Sequence, residues 1–197
     1  MLAVLKNRSF RHMFAAQVIA IIGTGLATVA LGLIAYDLAG ADASIVLSIA
    51  LTIKMVSYVT LAPIAAALAS QFPRRSWLVT LDILRALVAL ALPFVSEIWQ
   101  IYVLIFVMQA SSAGFTPAFQ ATIPDVLPDE DDYTNALSLS RLAYDIESLL
   151  SPTLAALLLT LVTANSLFFG TAAGFIASAL LVVSTVLPSP QPSATTG

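Results

Sequence analysis

The sequence predicts an all-α polytopic membrane protein with six transmembrane helices. Three observations carry that prediction. Hydrophobic residues make up 59% of the 197-residue chain and charged residues 10%, where a soluble domain carries roughly 25% charged. Mean hydropathy is +0.97. The apolar residues also fall into six continuous runs near or above the ~20 residues that a spanning helix needs. Eight Lys plus Arg against eleven Asp plus Glu leave a net charge of −3, too few charges to coat a soluble globule of this size. The balance argues against a soluble domain, a disordered chain and a basic nucleic-acid binder. With no Cys in the chain, disulfides and thiolate metal sites are impossible.

Each segment has its own signature. Residues 13–36 carry no charge, and Ala43–Ala69 is interrupted only by Lys54. Residues 76–96 contain Asp82 and Arg85, and residues 98–121 are uncharged. Residues 135–162 contain Arg141, Asp145 and Glu147, and residues 167–187 are again uncharged. No ionised side chain follows Glu147, so the break between the last two helices is placed at Asn165-Ser166, two poor helix formers. The first run is longer than the 7–15 residues of a signal-peptide core and five comparable runs follow, so it is not a cleavable signal. Barrel strands alternate apolar and polar residues; these runs do not.

Lys and Arg set the orientation. Lys6, Arg8 and Arg11 precede the first span, and Arg74 and Arg75 sit between the second and third. Alternating helices put all five on one side, which predicts cytoplasmic N- and C-termini. The domains expected are a cytoplasmic segment over 1–12, a six-helix bundle over 13–187 and a flexible, Pro-rich cytoplasmic tail over 188–197. Five acids lie within residues 125–132. Asp129 to Asp132 precede the fifth helix, where its dipole favours anions.

Several stretches, in order, resemble the amino-terminal half of a major facilitator superfamily transporter. The nearest group is the bacterial enterobactin-exporter and macrolide-efflux type of drug and siderophore exporter. Asn7-Arg8-Ser9-Phe10-Arg11 with Gln17 resembles that family's start of helix one. Leu61-Ala-Pro-Ile-Ala-Ala-Ala-Leu-Ala-Ser-Gln-Phe-Pro-Arg-Arg75 stands in the place of its loop between helices two and three. Asp82-Ile-Leu-Arg85-Ala86 resembles its helix-three pattern, and Thr116-Pro-Ala-Phe-Gln-Ala-Thr-Ile-Pro-Asp-Val-Leu-Pro128 its connection from helix four to five. Ser151-Pro-Thr-Leu-Ala-Ala156 stands at its Gly/Ser-Pro step. The loop departs from the family pattern at Ala66, Ser70-Gln71 and Pro73, keeping only the basic pair Arg74 and Arg75; Ala155-Ala156 replace glycines.

The resemblance implies half of a major facilitator fold in a bacterial inner membrane. It implies secondary transport, namely proton-coupled efflux of small amphipathic molecules by alternating access, with no cofactor. The family has twelve helices in two halves, so a second six-helix half, from the same or a separate chain, is the expected partner beside the lipid bilayer. The alternative is a truncated, non-functional fragment or a non-transporting membrane assembly subunit.

Ionisable groups at bilayer depth cost about 2.5–3.5 kcal/mol each on insertion scales. Lys54 lies roughly 16 Å into its helix and Glu147 roughly 18 Å into its own, from opposite ends, with Asp145 about 3 Å lower. All three come near the midplane of a ~30 Å core. Lys54 is therefore expected to neutralise Glu147 or Asp145, directly or through water, as a substrate or proton site or as a structural ion pair. Asp82 and Arg85, three apart, can touch across one turn in a structural or gating role. Arg141 and Asp145 can do the same four apart, with Arg141 able to reach lipid heads. Arg74 and Arg75 are candidate gating or structural charges. Gln17 and Thr24, seven apart, share one side of helix one, suited to substrate contact or to helix–helix hydrogen bonds. Gly23-Thr-Gly25 and Gly170-Thr-Ala-Ala-Gly174 are small-residue patterns; the second fits a packing seam. The lone His12 precedes helix one, so neither a His metal site nor a membrane Ser–His dyad is available. No phosphate-binding Gly-rich loop is present.

Overall fold

The computed structural model describes residues 2–69 and 71–185. Within them all regular structure is helical: α1 (Arg8–Ala39), α2 (Ala43–Ala69), α3 (Arg74–Ala91), α4 (Ile98–Val126), α5 (Glu130–Leu159) and α6 (Ala164–Val183), with short 3-10 turns at Leu2–Lys6, Gly40–Asp42 and Leu92–Phe94. Five continuous helical stretches are long and apolar enough to cross a membrane. The first of these runs from Arg8 to Ala69 and holds both α1 and α2. Its 62 residues would make a rod of about 93 Å, some three bilayer cores. It folds back instead at Gly40, whose φ of 54° is open to glycine and strained for other residues. A Cβ on Gly32 of α1 would lie 4.0 Å from Leu47 of α2, so the two run alongside each other. Six spans result.

The helix ends differ from the sequence reading by a few residues, for local reasons. α1 starts at Arg8, inside the segment expected to precede the membrane. Asn7 caps it, accepting from the Phe10 N–H at 3.1 Å while donating to the Val126 carbonyl at 3.2 Å. α4 runs through Pro117 and Pro124 to Val126. α5 starts at Glu130 because the Asp129 carboxylate accepts from the Asp131 and Asp132 N–H groups, both at 3.1 Å. The turn between α5 and α6 falls at residues 160–163, so Asn165 and Ser166 lie in the first turn of α6 rather than at the break. Thr163 takes the extended conformation there, its hydroxyl 3.0 Å from that of Ser166. Ser70 and residues 186–197, including the expected tail, lie outside the described residues.

α1 packs chiefly on α6, α2 on α4, and α3 on both α6 and α4, while α5 leans on α1. The α1–α6 seam is close. Thr171 donates to the Gly23 carbonyl at 3.0 Å, and a Cβ on Gly174 would lie 3.5 Å from Ile19. Two apolar cores stack along the bundle. One gathers Leu31, Val46, Leu92, Ile101, Met108 and Phe175; the other gathers Phe10, Met13, Leu78, Phe119, Ile123 and Val182. Between them, along the helices, fall Gln17, Asp82, Arg85, Gln109, Glu147 and Ser178, a polar layer at mid-height. α2 buries only Val46, Ala50 and Ser57 of its 27 residues, and α5 only five of 30. These two are the least covered helices of the bundle.

Candidate functional site

A cavity of about 390 Å³ opens at the polar layer, walled by α1, α2, α4 and α5, with Arg85 of α3 behind. Three ionisable cations and acids line it: Lys54, Arg85 and Glu147. Tyr58, Phe115 and Tyr144 supply aromatic surface, and Thr24, Gln109, Ser112 and Thr116 supply neutral polar groups.

Arg85 is the most constrained of the three. It is 3% exposed and Asp82 is 0% exposed. Asp82 takes an ion pair from the Arg85 guanidinium on one carboxylate oxygen and a hydrogen bond from Ser178 of α6, at 2.7 Å, on the other. The guanidinium carbon lies 4.3 Å from the Phe115 ring centre and 4.7 Å from that of Phe175, so two aromatic faces also stabilise the charge. The Arg85 Nε–H has no acceptor among the described residues. The pair is thus neutral as a unit and tied to α6.

Glu147 is half-buried and accepts from the Ser151 hydroxyl one turn away at 2.8 Å. Both groups press against Gly25 of α1, where a Cβ would collide with Glu147 Oε1 and with Ser151. Glycine at 25 is therefore what admits the carboxylate between α1 and α5. Glu147 also borders a second, wholly apolar crevice of about 270 Å³ between the same two helices. Across the cavity, the hydroxyls of Thr116 and Tyr144 sit 3.3 Å apart and tie α4 to α5.

Lys54 faces the same cavity as Glu147 but makes no direct ion pair: among the described residues no acid comes within 4.0 Å of it. Asp145 does not line the cavity. Its side chain is 67% exposed and stands 4.0 Å from that of Arg141, itself 83% exposed. The reason is helical geometry: residues two apart do not share a face, so the acids at 145 and 147 diverge. Thr24 lines the cavity, its hydroxyl donating to the Ala20 carbonyl at 3.0 Å. Gln17 does not. Seven residues hold the same face but drop about 10 Å along the axis, below Ala20, the lowest α1 residue at the cavity. Gln17 is buried there, its Oε1 without a partner among the described residues.

At the end of the bundle where α3 begins, Arg74 pairs with Asp125 of α4 and donates to the Ala121 carbonyl; Arg75 donates to the Val183 carbonyl of α6. Both arginines therefore stitch neighbouring helix ends. The sequence reading did not find Asp125, Ser151, Ser178 or Gly25 as partners. Asp125 and Ser178 are distant in sequence from the groups they serve. Gly25 stood in a flagged small-residue pattern, and Ser151 lies one turn from Glu147, a spacing that gives a signal.

The family model that matches is that of the Major Facilitator Superfamily, over residues 13–197. The chain is 30% identical over 124 residues to the uncharacterized MFS-type transporter YfiS of Bacillus subtilis, covering 63% of this chain and 30% of that protein. It is 23% identical over 184 residues to macrolide efflux protein A of Streptococcus pyogenes, covering 91% of this chain and 45% of that protein. The chain therefore spans less than half the length of these relatives. A helical bundle of membrane-crossing length, a polar cavity at mid-height and a family match that runs from residue 13 to residue 197 agree: the chain belongs to the Major Facilitator Superfamily.

Proposed function

We propose that this chain is one half-unit of a secondary active transporter that exports small amphipathic molecules from a bacterial cell, coupled to the proton gradient. The observation that carries the reading is the cavity: three ionisable side chains gathered at the mid-height of helices long and apolar enough to cross a membrane. Such groups are expensive in a bilayer and mark substrate or ion paths. The relative described as a macrolide efflux protein supports export as the direction. Lys54 and Glu147 are the residues proposed to bind substrate or carry the coupling proton, with Thr24 at the wall; Gln17, beneath the cavity, packs helices. Asp145, turned away from Glu147, is left with Arg141 as a peripheral charge.

Alternating access requires a second six-helix bundle rocking against this one. α2 and α5, the two poorly covered helices, are the faces such a bundle would cover, and that contact would shield Lys54 and Glu147 from lipid. The bias of the basic residues Lys6, Arg8, Arg11, Arg74 and Arg75 to one side supports an orientation with both termini cytoplasmic in the inner membrane.

The test is transport in proteoliposomes with an imposed pH gradient, using a panel of fluorescent amphiphiles, together with the mass of the detergent-solubilised protein. Gradient-driven uptake that a protonophore abolishes, lost in Glu147→Gln at unchanged membrane level, is the expected result. Uptake indifferent to the gradient would remove proton coupling. A strict 20.7 kDa monomer without uptake would remove the working half-unit.

A further inference from the structure

We infer that the cavity takes a zwitterionic amphiphile, its acid group on Lys54 and its ammonium group on Glu147. The inference rests on the reading of this cavity as the substrate site and names the ligand's chemistry. It comes from a charge inventory. Arg85 is cancelled by Asp82, its direct and fully buried partner. That leaves Lys54 and Glu147, one of each sign, on the walls of the same cavity. They are not paired: among the described residues no acid lies within 4.0 Å of Lys54, and no cation within 4.0 Å of Glu147, which accepts from the Ser151 hydroxyl. The cavity as a whole is therefore neutral, with its two poles apart.

Electrostatics at low dielectric then discriminates between ligands. Coulomb terms grow as screening falls, and an uncompensated charge away from water is costly. A cationic ligand pairs with Glu147 but sets its charge against Lys54 in the same space. An anionic ligand pairs with Lys54 and opposes Glu147. Either leaves the cavity with a net charge. A ligand bearing both groups gives each pole a partner and leaves the total at zero. Tyr58, Phe115 and Tyr144 offer faces to an apolar body. A volume of about 390 Å³ sits in the range of small-molecule sites, roughly 300–1,000 Å³, so the ligand is a small molecule or one lipid headgroup.

The experiment uses three dansyl probes that differ in charge. Nε-dansyl-lysine carries an ammonium and a carboxylate, dansylcadaverine the ammonium alone, and 6-(dansylamino)hexanoate the carboxylate alone. Each is titrated by fluorescence against the 197-residue chain in lipid nanodiscs, with empty discs subtracted. Folding of each variant is checked by circular dichroism and gel filtration. The expected result is that Nε-dansyl-lysine binds at least tenfold more tightly than either singly charged probe. Lys54→Met should erase its advantage over dansylcadaverine, and Glu147→Gln its advantage over 6-(dansylamino)hexanoate. Discs of phosphatidylglycerol alone are compared with discs half phosphatidylethanolamine. Weaker probe binding in the second identifies a zwitterionic lipid headgroup as the natural source, and equal binding a dissolved solute; both keep the zwitterion. If dansylcadaverine binds best and Lys54→Met leaves it unweakened, the cavity remains the site and the inference fails. The same holds if the hexanoate binds best and survives Glu147→Gln. If no probe binds above empty discs, the cavity reading falls with it.

Discussion

Gly25 on α1 and Glu147 on α5 share one slot: the space a side chain would take at 25 is the space the carboxylate occupies. A single methyl there would strike both Glu147 Oε1 and Ser151. The position of the one cavity acid is thus fixed by an atom that the neighbouring helix lacks.

The first prediction follows directly. Gly25→Ala should displace the carboxylate from Ser151 and reduce binding at the cavity about tenfold, roughly the 1.4 kcal/mol of a misplaced charged hydrogen bond. Gly23→Ala, with its nearest neighbour 3.6 Å from the new Cβ, should leave probe binding unchanged. Fluorescence titration of the two variants side by side checks the difference.

Asp82 and Arg85 form a closed unit, so removing one strands the other. Asp82→Ala should destabilise the bundle by about 3–5 kcal/mol, as for other buried pairs broken from one side. The double variant Asp82→Ala/Arg85→Met should recover much of that loss, because no buried charge remains. Thermal unfolding in detergent, followed by circular dichroism, measures both. A double variant no more stable than the single one would show that the pair does more than cancel charge.

Two glycines in helices make a matched control on packing. A Cβ on Gly114 would lie 3.1 Å from Leu81 Cδ1, 3.4 Å from Ala65 Cβ and 3.5 Å from Trp77, where α2, α3 and α4 converge. Gly114→Ala should cost about 1–3 kcal/mol through overpacking. Gly170, exposed on α6 with nothing within 4 Å, should gain about 0.5–1 kcal/mol on change to Ala, from helix propensity alone. Melting temperatures should move in opposite directions.

Arg74 and Asp125 are partly exposed, 25% and 32% by side chain. Their pair should therefore be worth no more than about 1 kcal/mol and weaken with salt. A double-mutant cycle with Arg74→Gln and Asp125→Asn, at low and high ionic strength, tests this.

The fold was legible because its signals were long and redundant. Runs of twenty or more apolar residues leave few structural options in lipid, and Ala43–Ala69 was bounded correctly to the residue. The ends were harder. Asn7 caps its helix through one hydrogen bond and Asp129 through two, and the turn at 160–163 sits in Leu- and Thr-rich sequence with no strong breaker. At the site, matching depth brought Lys54 and Glu147 to one cavity. The same depth argument also admitted Asp145, which helical phase turns away, and Gln17 followed phase but missed height. Neither coordinate alone places a side chain. Ser178 was out of reach altogether, since nothing in the sequence says which of six helices will stand behind Asp82.

The stacking of two greasy cores around a polar layer has a mechanical meaning. Apolar side chains slide past one another with little directional cost, whereas hydrogen-bonded and charged groups lock at fixed geometry. This bundle is therefore pinned at its waist and, through Arg74, Arg75 and Asn7, at the end where α3 begins. Motion should pivot about the plane of Asp82, Arg85 and Ser178, with the helix ends on the opposite side swinging furthest.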